Sequence, residues 1–374
     1  MKIYWLMLLW VIIFGMICNI TAKEVCIVDG IYEKRTSKFW AFITFSIIIF
    51  FIGLRSGIAD TYTYIKIFNE YPKQLSEMSS YIVDGTPNIG FIYFSVFIKQ
   101  FISTDYHVWL FIIALISGCC TFITFRKYSS NYGMTVTLFI LSCQFTWLLN
   151  GIRQFLVVSI MFACTPFIIE KKPAPYILIC LILSTIHKSA LILIPTYFIV
   201  QGAPWNRRTI IFIVIVILGM MFTSTYTNIY EGILEETYQS TSLKEVKSID
   251  DGTSIIRVAV ESVPMILAYI YRKQIAEKST PIINLCINMS IMTSGFYIMS
   301  SIVKSGILLG RIPIYFSLYN YILLPWIIKN VFDKNERRVL NFVMILLYGI
   351  FFIYMMYVTW GGLEYISDIL KIYC

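Results

Sequence analysis

The feature that most constrains this chain is a series of long apolar runs almost free of charge. Residues 3–20, 39–54, 106–125, 133–149, 152–169, 209–227, 254–271, 281–301, 312–328 and 339–358 each approach the ~20 residues a helix needs to cross a bilayer. Such runs cannot all be hidden inside a water-soluble fold. The chain is 58% hydrophobic and 14% charged, whereas a soluble domain carries about 25% charged residues because its surface faces water. A bilayer admits only helices or closed barrels, since every backbone polar group must be satisfied internally. Barrel strands would alternate over short segments; these runs are continuous. The expectation is therefore an all-α polytopic membrane protein with about 12 transmembrane helices, forming one membrane domain over residues 1–374.

Two of those helices, 174–186 and 189–201, are short and flank His187. Residues 90–101 are too few to span and read as a re-entrant or interfacial helix. The first run follows Lys2 in the manner of a signal peptide, but it exceeds the usual apolar core and reads as a helix of the mature protein. Seven of the nine cysteines lie within apolar runs and no CxxC pair occurs, so small packing residues are expected rather than a metal site or a disulfide framework.

The net charge of +9 is unevenly distributed. Loops 21–38, 126–132, 170–173, 202–208, 272–280 and 329–338 hold 17 Lys and Arg against 7 Asp and Glu; the remainder holds 13 against 14. That asymmetry assigns the basic loops to the cytosol and argues against nucleic acid as the partner. Both termini then lie outside, provided that 90–101 does not cross and the pair around His187 crosses twice. Two loops face outward, 55–89 and 228–253. In the first, Tyr64, Ile67, Phe68 and Tyr71 share a helical face opposite Lys66, Asn69 and Glu70, which predicts an amphipathic helix on the membrane surface. The second is acidic, and reads as a solvated segment or a lid.

Charged groups beside a bilayer are costly, so those outside the basic loops call for a reason. Arg55 follows the second run, and Asp60 precedes the amphipathic helix that carries Tyr64. Snorkelling and an N-cap would account for the first two. Asn150, Arg153 and Gln154 fall at i, i+3 and i+4 on one helical face, where a helix–helix hydrogen-bond cluster competes with an anion site. His187 has the side chain whose ordinary pKa, about 6.5, suits proton exchange at neutral pH, though a structural histidine fits too. His107 opens a helix and reads as structural. Arg257 and Glu261, four apart, can pair with each other. Lys304 and Arg311 flank GILLG, a flexible break, with Tyr315 one turn on. Together Arg55, Arg153, Arg257, Lys304 and Arg311 gather cations on the outer face, and guanidinium forks suit phosphate oxygens.

Several ordered motifs resemble the EpsG/Wzy-like exopolysaccharide and O-antigen polymerases. FIGLRSGIADTYTYIKIFNEY followed by PNIGFIYFSVFIKQF is similar to the family's Gly-Leu-Arg motif, its Asp and Tyr, and its short apolar helix. LLNGIRQFLVVSIMF, LSTIHKSALILIPTYFI and GRIPIYFSLYNYILLP resemble its later motifs, so the likeness runs from about residue 39 to 328. The family pattern has Gly-Asp where this chain has Ala59-Asp60; if that turn needs a positive φ, Ala59 is strained.

The resemblance implies a bacterial plasma (inner) membrane enzyme that polymerises O-antigen, exopolysaccharide or capsule repeats. It implies an undecaprenyl-diphosphate-linked oligosaccharide as substrate, with a chain-length regulator and a flippase as partners. The catalytic set it suggests is Asp60, His187, Arg153 and Arg311, with either Asp60 or His187 as base. Arg55, Tyr64, Asn150, Gln154, Arg257, Lys304 and Tyr315 would bind substrate. With no DxD motif, metal-independent glycosyl transfer and no cofactor are expected. A flippase for the same lipid, an O-antigen ligase or an acyltransferase are the rival readings.

Overall fold

The computed structural model describes residues 1–28, 31–221, 252–306 and 309–373. The acidic segment 228–253 therefore falls outside the described residues as far as 251, as do Ile307 and Leu308 of the GILLG break. The described residues are largely helical. Among the described residues, four helices are long and apolar enough to cross a membrane: Lys2–Ile20, Tyr106–Tyr128, Pro281–Val303 and Lys334–Thr359. A fifth is Tyr132–Leu141 with Gln144–Asn150, if that pair, bent by 67°, counts as one span.

The expected dozen is not confirmed: among the described residues several apolar runs form interrupted or shorter helices, and run 209–227 continues outside them. Run 133–149 breaks at Cys143, whose φ of +58° is left-handed. There the Thr146 hydroxyl donates to Cys143 O at 2.7 Å, competing with the helical ladder. Run 312–328 is divided into Ile314–Ser317 and Asn320–Val331, behind Pro313. Other runs give helices of 10–17 residues. The expected all-α architecture also acquires one strand pair. Lys23–Val28 and Ile31–Arg35 form an antiparallel hairpin inside the basic loop 21–38.

The chain separates into two compact units. Unit 1 comprises Met1–Asp84, Ile89–Thr165 and Phe332–Cys374; unit 2 comprises Gly85–Asn88 and Pro166–Val331.

In unit 1, Lys38–Gly53 and Tyr106–Tyr128 pack antiparallel. At one end Arg126 Nε donates to Thr36 O at 3.0 Å, and Arg35 to Ser129 O. At the other, His107 lies 3.5 Å from the Ser56 hydroxyl. Two loops grouped by their basic charge, 21–38 and 126–132, thus share an end, opposite Arg55. Helices Lys2–Ile20 and Tyr132–Leu141 cross where Gly15 meets Gly133. A Cβ on Gly133 would lie 2.5 Å from Gly15 O, so only glycine permits this approach.

In unit 2, Pro173–Ser184 returns through Lys188–Ile192 and Leu193–Ile199, with Tyr176 and Tyr197 rings 5.1 Å apart and Cys180 Sγ donating to Ala190 O. This is the short pair expected around His187. Its far end carries the basic loops: Gln201 Nε2 donates to Ile168 O, and Asn288 Nδ2 to Val200 O and Gly202 O. Lys278 Nζ likewise donates to Asn330 O at 2.7 Å, joining loops 272–280 and 329–338.

Candidate functional site

The polar residues singled out above divide between the units, and each group has its own construction. In unit 1 the helix Thr61–Glu70 has the predicted faces: Phe68 and Tyr71 are buried, Lys66, Asn69 and Glu70 exposed. Its apolar side lies on protein rather than on lipid. The Phe68 ring stacks on Trp109 at 4.6 Å, and Lys99 Nζ sits 4.9 Å from the same ring. Lys99 then donates to three carbonyls at the helix end, Phe68 at 2.7 Å, Asn69 at 3.2 Å and Tyr71 at 2.6 Å. A buried ammonium on the negative end of a helix is a favourable arrangement.

Arg55 is almost wholly buried just beyond Lys38–Gly53. Its Nε donates to Thr61 Oγ1 at 3.1 Å and its Nη1 to Ile52 O. Burial lowers its guanidinium from the ordinary value to about 10, opposed by the neighbouring Tyr365, Tyr64 and Tyr4. It does not snorkel. The C-terminal segment closes over this loop: Ser56 N donates to Ile366 O at 2.8 Å, and Tyr365 Oη to Phe51 O at 2.8 Å. Asp60 occupies the N-cap position of Thr61–Glu70, but its exposed carboxylate accepts no capping bond there. The residue before it, Ala59, has φ +45°, the strained turn foreseen from Ala59-Asp60.

Asn150, Arg153 and Gln154 do not share one continuous helix. The helix Trp147–Asn150 ends at Gly151 and a new one, Ile152–Ala163, begins, so the regular i, i+3, i+4 spacing is interrupted. Arg153 consequently stands in a helix first turn, where backbone amides have no intrahelical acceptor. Its guanidinium lies 5.6 Å from the Tyr64 ring centroid, and it acts electrostatically on Tyr71, whose phenol burial pushes up. Tyr64 thus stands between the influence of Arg55 and that of Arg153. Asn150 Oδ1 is buried and accepts no hydrogen bond from the protein.

In unit 2, His187 Nδ1 is 2.7 Å from Ser189 Oγ, which is 3.0 Å from Tyr315 Oη. This joins two sequence-selected residues through a serine that was not selected. The histidine is only 9% exposed, so the ring is held on one side and reaches the surface at its edge. The chain can run in either direction. With Nδ1–H donating to Ser189 and Ser189 to Tyr315, Nε2 is a proton acceptor; reversed, Nε2–H is a donor.

Glu261 and Arg257 behave differently from the expected simple pair. The fully buried carboxylate accepts from Asn320 Nδ2 at 3.1 Å and Tyr321 Oη at 3.0 Å, with Arg257 near enough to act electrostatically. Lys304, exposed with φ +53°, caps Pro281–Val303. Two residues of the break after it, 307 and 308, lie outside the described residues, and with them its expected flexibility. Ser305 O accepts from both Leu309 N and Gly310 N, and a Cβ on Gly310 would meet Thr253 Oγ1 at 2.7 Å. Arg311, half-buried, precedes Tyr315 by one turn.

Sequence reasoning missed Lys99, Ser189 and the C-terminal clasp. Ser189 stands two residues after His187, where a hydroxyl could have been suspected; nothing in the pattern points to the other two. Among the described residues, no three His, Cys, Asp or Glu side chains gather as a metal site would require.

Compared with known proteins, the chain matches the model of the EpsG family over residues 38–367. No curated protein and no solved structure matches it.

Proposed function

The chain belongs to the EpsG family, and from that premise we propose that it is a polysaccharide polymerase of the bacterial plasma membrane. It joins oligosaccharide repeats carried on undecaprenyl diphosphate at the outer face. The observation that carries this reading is the His187–Ser189–Tyr315 chain, a histidine fixed by a relay whose members are 126 residues apart in sequence.

In the reaction the anomeric C–O bond to the lipid diphosphate breaks while an acceptor sugar hydroxyl forms the new glycosidic bond. His187 Nε2 takes the hydroxyl proton, with Ser189 and Tyr315 holding the tautomer that carries its proton on Nδ1. The leaving diphosphate is stabilised by Arg153, supported by the first-turn amides of Ile152–Ala163, and by Arg311. Arg55 sets the potential from beneath Tyr64, while Asn150 offers an acceptor to a sugar hydroxyl. Arg257, Lys304 and Gln154 are further contacts for the substrate. Asp60 is the alternative base, because its carboxylate is exposed at the start of Thr61–Glu70.

Gel analysis of surface glycan from a deletion strain tests the assignment. A ladder replaced by a single repeat on the lipid carrier supports a polymerase. Repeats trapped on the inner leaflet would indicate a flippase, and polymer left unattached would indicate a ligase. Transfer by the purified protein is expected to persist in strong chelator; loss of transfer restored by manganese would refute metal independence.

A further inference from the structure

Far from His187 within unit 2, a cavity of about 580 Å³ opens beside the basic loops. Lys171, Arg207 and Arg208 line it together with Asn206, Gln201 and Tyr197, and no carboxylate is among its lining residues. The twelve-residue helix Pro173–Ser184, about 18 Å at 1.5 Å per residue, separates it from His187. It therefore belongs to neither group of residues described above.

Its walls are built rather than incidental. Asn206 Nδ2 donates to Gln201 O at 3.1 Å and Ala203 O at 2.7 Å. Asn206 Oδ1 accepts from Arg208 N at 2.8 Å and Thr209 N at 3.2 Å, capping the helix that carries both arginines. Arg208 Nη1 donates to Phe198 O at 3.0 Å, so this side chain is oriented by the protein itself. Lys171 adopts φ +55°, a left-handed conformation that is costly for lysine, and the neighbouring Glu170 pairs with Lys172 at 2.7 Å.

A second cavity of about 240 Å³ shares Lys171, Gln201, Gly202 and Ala203 with the first. Its remaining lining is mostly apolar, including Ile168, Ile169, Val200 and Leu285. Around the arginines, Phe198, Ile210 and Ile211 are 49%, 52% and 57% exposed, as expected of side chains that face acyl chains. A cationic chamber that shares four wall residues with a mostly apolar slot matches a ligand that is anionic at one end and oily at the other.

We infer that this paired cavity binds the phosphate headgroup of an acidic glycerophospholipid, with an acyl chain entering the slot. Free phosphate shares the headgroup chemistry but has nothing to place in the slot. Basic pockets at the membrane surface attract anionic lipid with a strength that grows with each cation.

The test titrates the full-length protein, in a neutral detergent, with fluorescent phosphatidylglycerol and fluorescent phosphatidylcholine. Phosphatidylglycerol is expected to bind saturably and about tenfold more tightly. The Lys171→Gln/Arg207→Gln variant, which leaves the Arg208 bond to Phe198 intact, should lose about tenfold or more of that affinity. A variant at two exposed cations elsewhere, Lys334→Gln/Arg338→Gln, should keep it and shows that general charge is not the cause. Equal binding of both lipids, or equal weakening by both variants, overturns the inference. So does saturable binding of inorganic phosphate by a protein that does not bind phosphatidylglycerol. If the pocket variant elutes as aggregate, Arg207→Gln alone, at an exposed position, is titrated in its place against the same criterion.

Discussion

In unit 1 the cations rest on aromatic rings and backbone carbonyls; in unit 2 the polar side chains rest on one another. Arg153 lies against Tyr64, Lys99 against Phe68 and three carbonyls, and Arg55 against Thr61 and Ile52. His187, Ser189 and Tyr315 instead form a hydroxyl relay, and Glu261 is gripped by Asn320 and Tyr321. The first construction fixes positive charge without neutralising it, which suits electrostatic stabilisation of an anion. The second fixes the direction of protons, which suits acid–base work. Each construction lies within its own unit, and each can be tested by itself.

Changing the proton side should have the largest effect. His187→Gln is expected to lower polymerisation by roughly 10²- to 10⁴-fold, the range for losing a general base, with the protein still present in the membrane. If His187→Gln is silent while Asp60→Asn abolishes polymer, the base is Asp60 and the relay has no part in proton transfer. Arg153→Ala should cost about 10²- to 10³-fold, and Arg153→Lys should recover part of that if charge matters more than the guanidinium fork. Full-length polymer from Arg153→Ala would remove Arg153 from the stabilisation of the diphosphate and leave Arg311 as the candidate.

Tyr315→Phe sharpens the comparison, because it removes one hydroxyl from the relay without touching the ring's packing. A loss of about tenfold is expected, non-additive with Ser189→Ala because both act through His187. Additive losses would mean that the relay is not a unit.

Two stability changes test the unit 1 construction. Lys99→Met keeps the buried stem but deletes three bonds to carbonyls, and should destabilise the protein by on the order of 2–4 kcal/mol in thermal melts. No shift in the melt would show that the clamp contributes nothing. Ala59→Gly should stabilise by about 1 kcal/mol or less, since relief of the left-handed strain is offset by the entropy of glycine. A lowered melting temperature would contradict strain at Ala59.

These contrasts explain which parts of the molecule were legible in its sequence. The apolar runs and the faces of Thr61–Glu70 are periodic, so they could be read directly. Loops grouped by their basic charge meet within each unit, 21–38 with 126–132 in the first and 170–173 beside 202–208 in the second. The breaks at Cys143 and Gly151 were hidden, since both lie in uniformly apolar sequence and arise from local backbone geometry. The Lys99 clamp and the C-terminal clasp of Arg55 depend on contacts between distant segments, for which no local pattern exists. Ser189 was near His187 in sequence, yet only the approach of Tyr315 gives it a role.

The claim beneath all of this is that the Arg55 and Arg153 end of unit 1 faces outward while the basic loops face the cytosol. Membrane-impermeant maleimide on intact cells tests it directly, in a Cys374→Ser background. Thr104→Cys, in an exposed loop at the Arg55 end, should be labelled, while the native exposed Cys26 of the hairpin should react only after the cells are opened. Labelling of Cys26 in intact cells with Thr104→Cys protected would invert the molecule and contradict the account.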